Sequence, residues 1–180
     1  MNTSTALILI VTAAGMLLLA ACTGLKQGTP VRTVPTVDLA RYTGVWYEIA
    51  RYPNSFQKGC RDTTATYTLR PDGEITVVNR CLKGAEGKLA EATGRAWLAE
   101  PPDTSRLKVT FFWPFRGDYW IIDLGENYEY AVVGTPDRKY LWILSRTPSL
   151  TADTYAGIIQ RLELQGFDPA KLLKTDQNRS

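Results

Sequence analysis

Between Val45 and Arg146 the chain repeats one pattern: a short run of β-branched and aromatic residues, then a cluster of turn formers. The runs are Val45–Tyr52, Arg61–Arg70, Glu74–Leu82, Lys88–Ala99, Arg106–Phe112, Tyr119–Leu124, Tyr128–Thr135 and Tyr140–Arg146. The breakers are Pro53-Asn54, Pro71-Asp72-Gly73, Gly84 to Gly87, Pro101-Pro102, Pro114 to Gly117, Gly125-Glu126-Asn127 and Pro136-Asp137. Such spacing predicts strands joined by hairpin-length loops, with no helix between them. Eight consecutive antiparallel strands hide their edges best by closing on themselves, and a closed barrel of that size has room for one small ligand. The expected fold is therefore all-β, an eight-stranded antiparallel up-and-down β-barrel.

After Pro148 the period changes. Tyr155, Ile158, Ile159 and Leu162 recur at helical spacing, with Thr151 placed to cap the start and Gly166 to stop the end. One apolar face predicts a single C-terminal α-helix packed outside the barrel. Asp38 is placed to cap one helical turn at Leu39–Tyr42, and Ala170 to Leu173 is a short extended piece suited to a sheet edge.

The chain opens with 21 residues free of Asp, Glu, Lys and Arg, and Ala6 to Ala21 is almost wholly apolar. That run is shorter than the roughly 20 apolar residues a spanning helix needs and has the length of a signal-peptide core. It ends in Leu19-Ala20-Ala21-Cys22, which resembles the bacterial lipobox, so Cys22 is the expected lipidation site. Thr23, rather than Asp, follows it, and by resemblance to proteins sorted in Gram-negative cells this favours the outer membrane, periplasmic face. The organisation expected is a lipoprotein signal over 1–21, a lipidated tether over 22–37, a barrel domain over 38–175 and a tail over 176–180. The Thr, Pro, Gly, Val and Lys content of Thr23 to Val37 reads as flexible.

A formal charge of +3, evenly scattered, argues against a nucleic-acid partner. Histidine is absent, which removes the commonest general base and the usual non-thiolate metal ligand. No metal or cofactor is expected. In a secreted chain the remaining pair, Cys60 and Cys81, most simply forms a disulfide. A hairpin turning at Pro71-Asp72-Gly73 sets Leu69 opposite Ile75, Tyr67 opposite Val77 and Ala65 opposite Asn79. Residue 63, not Cys60, then faces Cys81, so the bridge requires at least one bulge or bend along these strands. A reactive thiol beside Arg61 and Arg80 is the alternative.

Gly44-Val45-Trp46 reads as a tight turn feeding the first strand, with Trp46 large enough to plug one end of a barrel. Arg146, in Leu144-Ser145-Arg146-Thr147-Pro148, is the candidate to lie across its indole. On these residues the chain resembles a lipocalin, and specifically the bacterial lipocalins similar to apolipoprotein D. Gly44-x-Trp46 matches the first family motif and Arg146 the arginine of the third. Tyr47-Glu48-Ile49-Ala50-Arg51 and Tyr140 to Pro148 resemble the bacterial branch. At the second motif the chain has Gly125-Glu126-Asn127-Tyr128 where the family has a Thr-Asp pair before the tyrosine. The resemblance covers about Asp38 to Leu173.

Alternation assigns the barrel's faces. Lys108 and Thr110 mark the outside, leaving Leu107, Val109, Phe111 and Trp113 inside. Tyr119 and Ile121 share a face, with Asp123 in line behind them. A buried carboxylate would need a partner, so a strand-end position in solvent is expected for Asp123. Glu129 marks the outside, leaving Tyr130 and Val132 inside, and Tyr140, Trp142 and Leu144 share the inner face of the last strand. The expected ligand-binding wall is Tyr67, Val77, Trp97, Phe111, Tyr119, Tyr130 and Trp142. The resemblance implies reversible binding of a fatty acid or lysophospholipid, by a membrane-anchored lipoprotein serving envelope maintenance, with no catalysis. An interaction lipoprotein with a filled barrel is the alternative, and a thiol-dependent enzyme a weaker one. Exposed aromatics at Phe112 to Phe115 are compatible with a homodimer or with a lipid contact.

Overall fold

In the computed structural model, residues 29–177 are described; the signal segment, Cys22 and residues 178–180 lie outside them. Eight strands run up and down: β1 (Gly44–Arg51), β2 (Cys60–Leu69), β3 (Ile75–Lys83), β4 (Lys88–Leu98), β5 (Arg106–Phe112), β6 (Phe115–Leu124), β7 (Tyr130–Gly134) and β8 (Leu141–Ser145). Each pairs antiparallel with the next, and β1 pairs with both β8 and β2, which closes the barrel. The helical turn α1 (Leu39–Tyr42) lies at the end where β1 begins, its amides capped by the Asp38 carboxylate. Helix α2 (Ala152–Leu164), capped by Thr151, packs Ile158 and Leu162 against Val132, Ile143 and Ile122 on the barrel's outer surface.

Two apolar cores result. One fills the closed end inside the barrel, around Trp46, Tyr42, Tyr67 and Ile121. The other lies between the barrel and α2.

Three features depart from the alternating pattern, each for a physical reason. Strand β6 begins at Phe115, because a two-residue turn at Trp113-Pro114 suffices and Phe115 pairs straight back to Phe112. Residues 29–37 are not a free tether. Val31 and Val37 are buried, and the Val34 amide donates to the Ile121 carbonyl at 3.0 Å, so this stretch is strapped along the wall. At the far end of the chain, β9 (Leu173–Lys174), just after a 3-10 turn at Pro169–Lys171, pairs with Ala50 and Arg51 of β1. There β1 has already parted from β2, and the C-terminal segment bridges the seam: the Asp62 amide donates to the Asp176 carbonyl, and Gln177 reaches the carbonyls of Glu48 and Thr63. Asp176 and Gln177 thus belong to the barrel and not to a tail.

The irregularity required by the cysteines is a bulge. The β2–β3 register runs Leu69↔Ile75, Tyr67↔Val77 and Ala65↔Asn79, then shifts between Thr64 and Arg61. Asp62, inside the bulge, takes φ 50°. The extra residue puts Cys60 diagonal to Cys81 on one face, and the two are joined by a disulfide with Cα atoms 5.4 Å apart.

Candidate ligand cavity

The closed end is built around Trp46, which is fully buried. Its indole Nε1 donates to the Tyr42 carbonyl at 2.8 Å, tying the strand to α1. The Arg146 guanidinium covers the ring at 3.7 Å and donates to the carbonyls of Val45, Arg41 and Tyr128. Gly44 enters with φ 93°, and a Cβ there would sit 3.4 Å from Arg146 Nη1. The loop at Gly125-Glu126-Asn127-Tyr128 joins the closure by its own means. Tyr128 Oη accepts from the Asp38 amide at 2.8 Å, and Arg41 stacks over its ring at 4.1 Å.

Above this plug three phenols form the cavity floor. Tyr119 Oη lies 2.8 Å from both Tyr42 Oη and Tyr67 Oη. Burial pushes the Tyr67 phenol up to about 12 and those of Tyr42 and Tyr119 well above the ordinary value, so all three stay neutral at physiological pH.

A cavity of about 750 Å³ rises from that floor to the open end. Its wall includes Val77, Val109, Phe111, Val133, Trp142 and Leu144. Tyr140 stacks on Trp142, with ring planes 7° apart, and Phe56 of the β1–β2 loop leans on Tyr140 at the rim. The Cys60–Cys81 disulfide also lines the cavity, so neither sulfur is a thiol. The interior is open because of what β4 turns inward. Ala90 and Ala92 face the space, Gly94 and Ala96 continue the row, and a Cβ on Gly94 would fall 2.7 Å from the Phe111 ring. Small side chains on one strand leave the volume that aromatic side chains on the others border.

One polar cluster faces the cavity near the mouth. Glu48, buried, accepts from Arg51 at 2.8 Å, Gln57 Nε2 at 2.6 Å and Thr175 at 2.5 Å. Gln57 in turn accepts the Trp142 indole N–H at 2.9 Å, which fixes that ring. Among the described residues no three His, Cys, Asp or Glu side chains converge as a metal site requires.

Of the residues singled out in the sequence, Tyr67, Val77, Phe111, Tyr119 and Trp142 border the cavity. Trp97 and Tyr130 do not. Trp97 pairs across from Lys108 on the outer face, because Ala96 occupies the inward position. The charges at Glu91 and Arg95 already marked odd positions of β4 as wet. Tyr130 packs under α2, its hydroxyl accepting from Arg161 at 2.9 Å, while Ala131 and Val133 turn inward. Glu129 misled because it precedes the strand, and its carboxylate folds back on the Asn127 amide. A bulge between Ile121 and Asp123 likewise turns Asp123 outward, onto Arg161 at 2.8 Å.

This geometry, a closed end sealed by Trp46 and Arg146 under an apolar, open-mouthed cavity, agrees with comparison to known proteins. The lipocalin-like domain family matches residues 37–177. The chain belongs to the lipocalin family. It is 38% identical over 169 residues to the outer membrane lipoprotein Blc of Escherichia coli K12, covering 94% of this chain and 96% of that protein. It is 41% identical over 157 residues to temperature-induced lipocalin-1 of Arabidopsis thaliana, covering 82% and 83%. Among solved structures, insecticyanin of the tobacco hornworm Manduca sexta superposes with a TM-score of 0.65 at 24% identity, covering 81% of this chain and 84% of that one.

What the sequence did not point to in this lipocalin is the small-residue row on β4 and the Glu48–Gln57–Trp142 cluster. The first was legible in the Ala90, Ala92, Gly94, Ala96 spacing. The second depends on a loop and a C-terminal segment folding back to one place, which no local pattern announces.

Proposed function

We propose that this lipocalin holds one acyl chain, as a fatty acid or a lysophospholipid, with its polar head at the barrel mouth. The observation that carries this reading is the 750 Å³ cavity, bordered by aromatic and aliphatic side chains and open at one end. Each buried methylene contributes about 0.8 kcal/mol, so apolar burial supplies the affinity and cavity width the selectivity. Tyr67, Val77, Phe111, Tyr119 and Trp142 form the binding wall. Gln57 and Glu48, near the rim, are within the region a head group would occupy.

The protein works as a carrier or sink rather than an enzyme. Both cavity sulfurs are tied in the disulfide, which removes the nucleophile a thiol mechanism needs. A filled barrel with a purely structural role is disfavoured by the open space above the phenol floor.

The place of action is the periplasmic face of the outer membrane, after removal of residues 1–21 and lipidation of Cys22. The lipobox and the similarity to an outer membrane lipoprotein support this. Among the described residues no helix is long and apolar enough to cross a membrane. A role in envelope maintenance follows if the ligands are acyl chains released from that membrane.

Native mass spectrometry of the Cys22→Ser chain, purified from periplasm without detergent, tests the ligand. A co-purifying mass of a fatty acid or lysophospholipid, lost on delipidation and regained on addition, is the expected result. A bare chain that takes up neither in excess overturns the reading.

A further inference from the structure

The strap fixes where the chain leaves the barrel. Running backwards from α1, residues 37 to 29 climb the wall from the closed end to the open one. The Val37 amide is held by Thr104 in the β4–β5 connection, Val34 by Ile121 midway along β6, and the Thr29 carbonyl by Arg138 in the β7–β8 turn. Arg138 also donates to the Gln165 carbonyl just past the end of α2, so the exit is pinned between two elements. The β7–β8 turn belongs to the mouth, where Tyr140 and Asp137 border the cavity.

Cys22 is seven residues before Thr29. A fully extended chain of that length spans at most about 25 Å. An anchor at Cys22 therefore lies within that reach of the mouth rim, where Thr29 is held.

The same rim carries the most exposed aromatic surface of the protein. Phe112, Trp113 and Phe115, at the tip of the β5–β6 hairpin, are 75%, 70% and 72% exposed. Soluble chains rarely leave three large aromatics uncovered on one hairpin tip, and aromatic rings favour the bilayer's interfacial zone. Arg116 beside the tip, Lys58 on the β1–β2 loop and Lys139 in the β7–β8 turn are exposed cations on this rim, with Lys83 nearby. Against them stand Glu86 and Asp137 as exposed acids, the latter paired with Lys139 at 3.2 Å. That balance suits an anionic lipid surface.

We propose that the strap holds the barrel mouth down on the bilayer, with the Phe112–Phe115 tip seated in the lipid interface as a second contact. The ligand then passes between leaflet and cavity without crossing open water. The proposal rests on the reading of Cys22 as a lipid anchor, and it adds an orientation that anchoring alone does not impose.

The test uses the full mature protein, reconstituted in vesicles of phosphatidylethanolamine and phosphatidylglycerol. Brominated acyl chains report which tryptophans touch lipid. Trp142 is open to quenching by lipid bound in the cavity, so the readout is the difference between the wild type and Trp113→Ser. An Asp72→Cys variant carrying a fluorophore reports on the closed end. Expected are loss of most shallow-lipid quenching in Trp113→Ser, and a label at residue 72 reached by aqueous iodide but not by brominated lipid. If vesicle-bound protein leaves Trp113 unquenched, whether bare or covered by a second copy, or if brominated lipid reaches residue 72, the orientation is wrong while the anchor stands. If mass spectrometry finds Cys22 without acyl chains and the protein stays off the vesicles, the anchor reading fails and takes this proposal with it.

Discussion

The guanidinium carbon of Arg146 lies 3.7 Å from the centre of the Trp46 ring, joining the end of the last barrel strand to the start of the first. The contact is more than a stacked cation. Arg146 also donates to Val45, Arg41 and Tyr128, so one side chain serves β1, α1 and the β6–β7 loop together. Hydrogen bonds from a charged donor contribute about 1.5–3 kcal/mol each, and a partly desolvated cation–π contact up to about 2. Arg146→Ala should therefore cost at least about 3 kcal/mol on these scales, seen as a lower urea midpoint with an unchanged slope. Arg146→Lys should be nearly as damaging, since a point charge cannot serve three carbonyls in a fork. Ligand affinity in either folded variant should stay close to wild type, because the phenol floor separates this seal from the cavity. A midpoint unmoved by Arg146→Ala would show that the closed end is held by packing alone.

The cavity makes a prediction in the opposite sense. Ala92 faces the space from β4, so Ala92→Trp fills volume without cutting any hydrogen bond. Displacement of a fluorescent fatty acid should weaken by at least about tenfold, equivalent to 1.4 kcal/mol, with little change in Tm. Trp142→Ala should also weaken binding, but with a loss of stability, since it removes the stack on Tyr140 and the bond to Gln57. Unchanged affinity in both variants would place the ligand elsewhere.

Much of this fold is legible because its signals are local. Turn formers at Pro71-Asp72-Gly73 or Gly84 to Gly87 mark hairpins wherever the rest of the chain goes. The parity mismatch between Cys60 and Cys81 even foretold a bulge or a bend, and the bulge between Arg61 and Thr64 is what brings them to one face. Bulges without a chemical marker are silent. The extra residue at Ile122-Asp123 flips the face of everything after it, and nothing in Ile121-Ile122-Asp123-Leu124 announces the slip. Trp97 shows a different limit: aromatic bulk suggests burial, yet alternation with Glu91 and Arg95 puts it outside. The strap reads as linker by composition, and its order comes from Val31 and Val37 burying against residues distant in sequence.

The reassigned faces have their own consequence. Tyr130, Asp123 and Arg161 form one cluster between barrel and helix, with Arg161 Nε 2.8 Å from Asp123 and Nη2 2.9 Å from Tyr130 Oη. Arg161 is nearly half exposed, so its ion pair contributes little beyond about 1 kcal/mol. Tyr130→Ala should instead lose ring packing under α2 and cost about 2–4 kcal/mol, somewhat below a fully buried aromatic. Fatty-acid affinity should not move. Loss of affinity with stability intact would return Tyr130 to the cavity wall.

The phenol floor sets an alkaline limit on stability. Tyr42, Tyr67 and Tyr119 all have folded-state pKa values raised by burial, with Tyr67 at about 12. Unfolded, each titrates near 10. Between those values the folded chain binds more protons than the unfolded one, so stability falls as pH rises. The contribution is fully present below about pH 10 and is lost progressively from there to pH 12 and beyond. A phenolate titration followed by absorbance should thus show the exposed tyrosines ionising smoothly, then the three buried ones together with loss of native near-ultraviolet circular dichroism. Tyr119→Phe keeps the ring but leaves the hydroxyls of Tyr42 and Tyr67 without their shared partner, at about 1–3 kcal/mol for each one orphaned. That variant should unfold at lower pH than wild type. A wild-type chain whose tyrosines all ionise near pH 10 while still folded would show that the floor is wet and that the cavity extends past it.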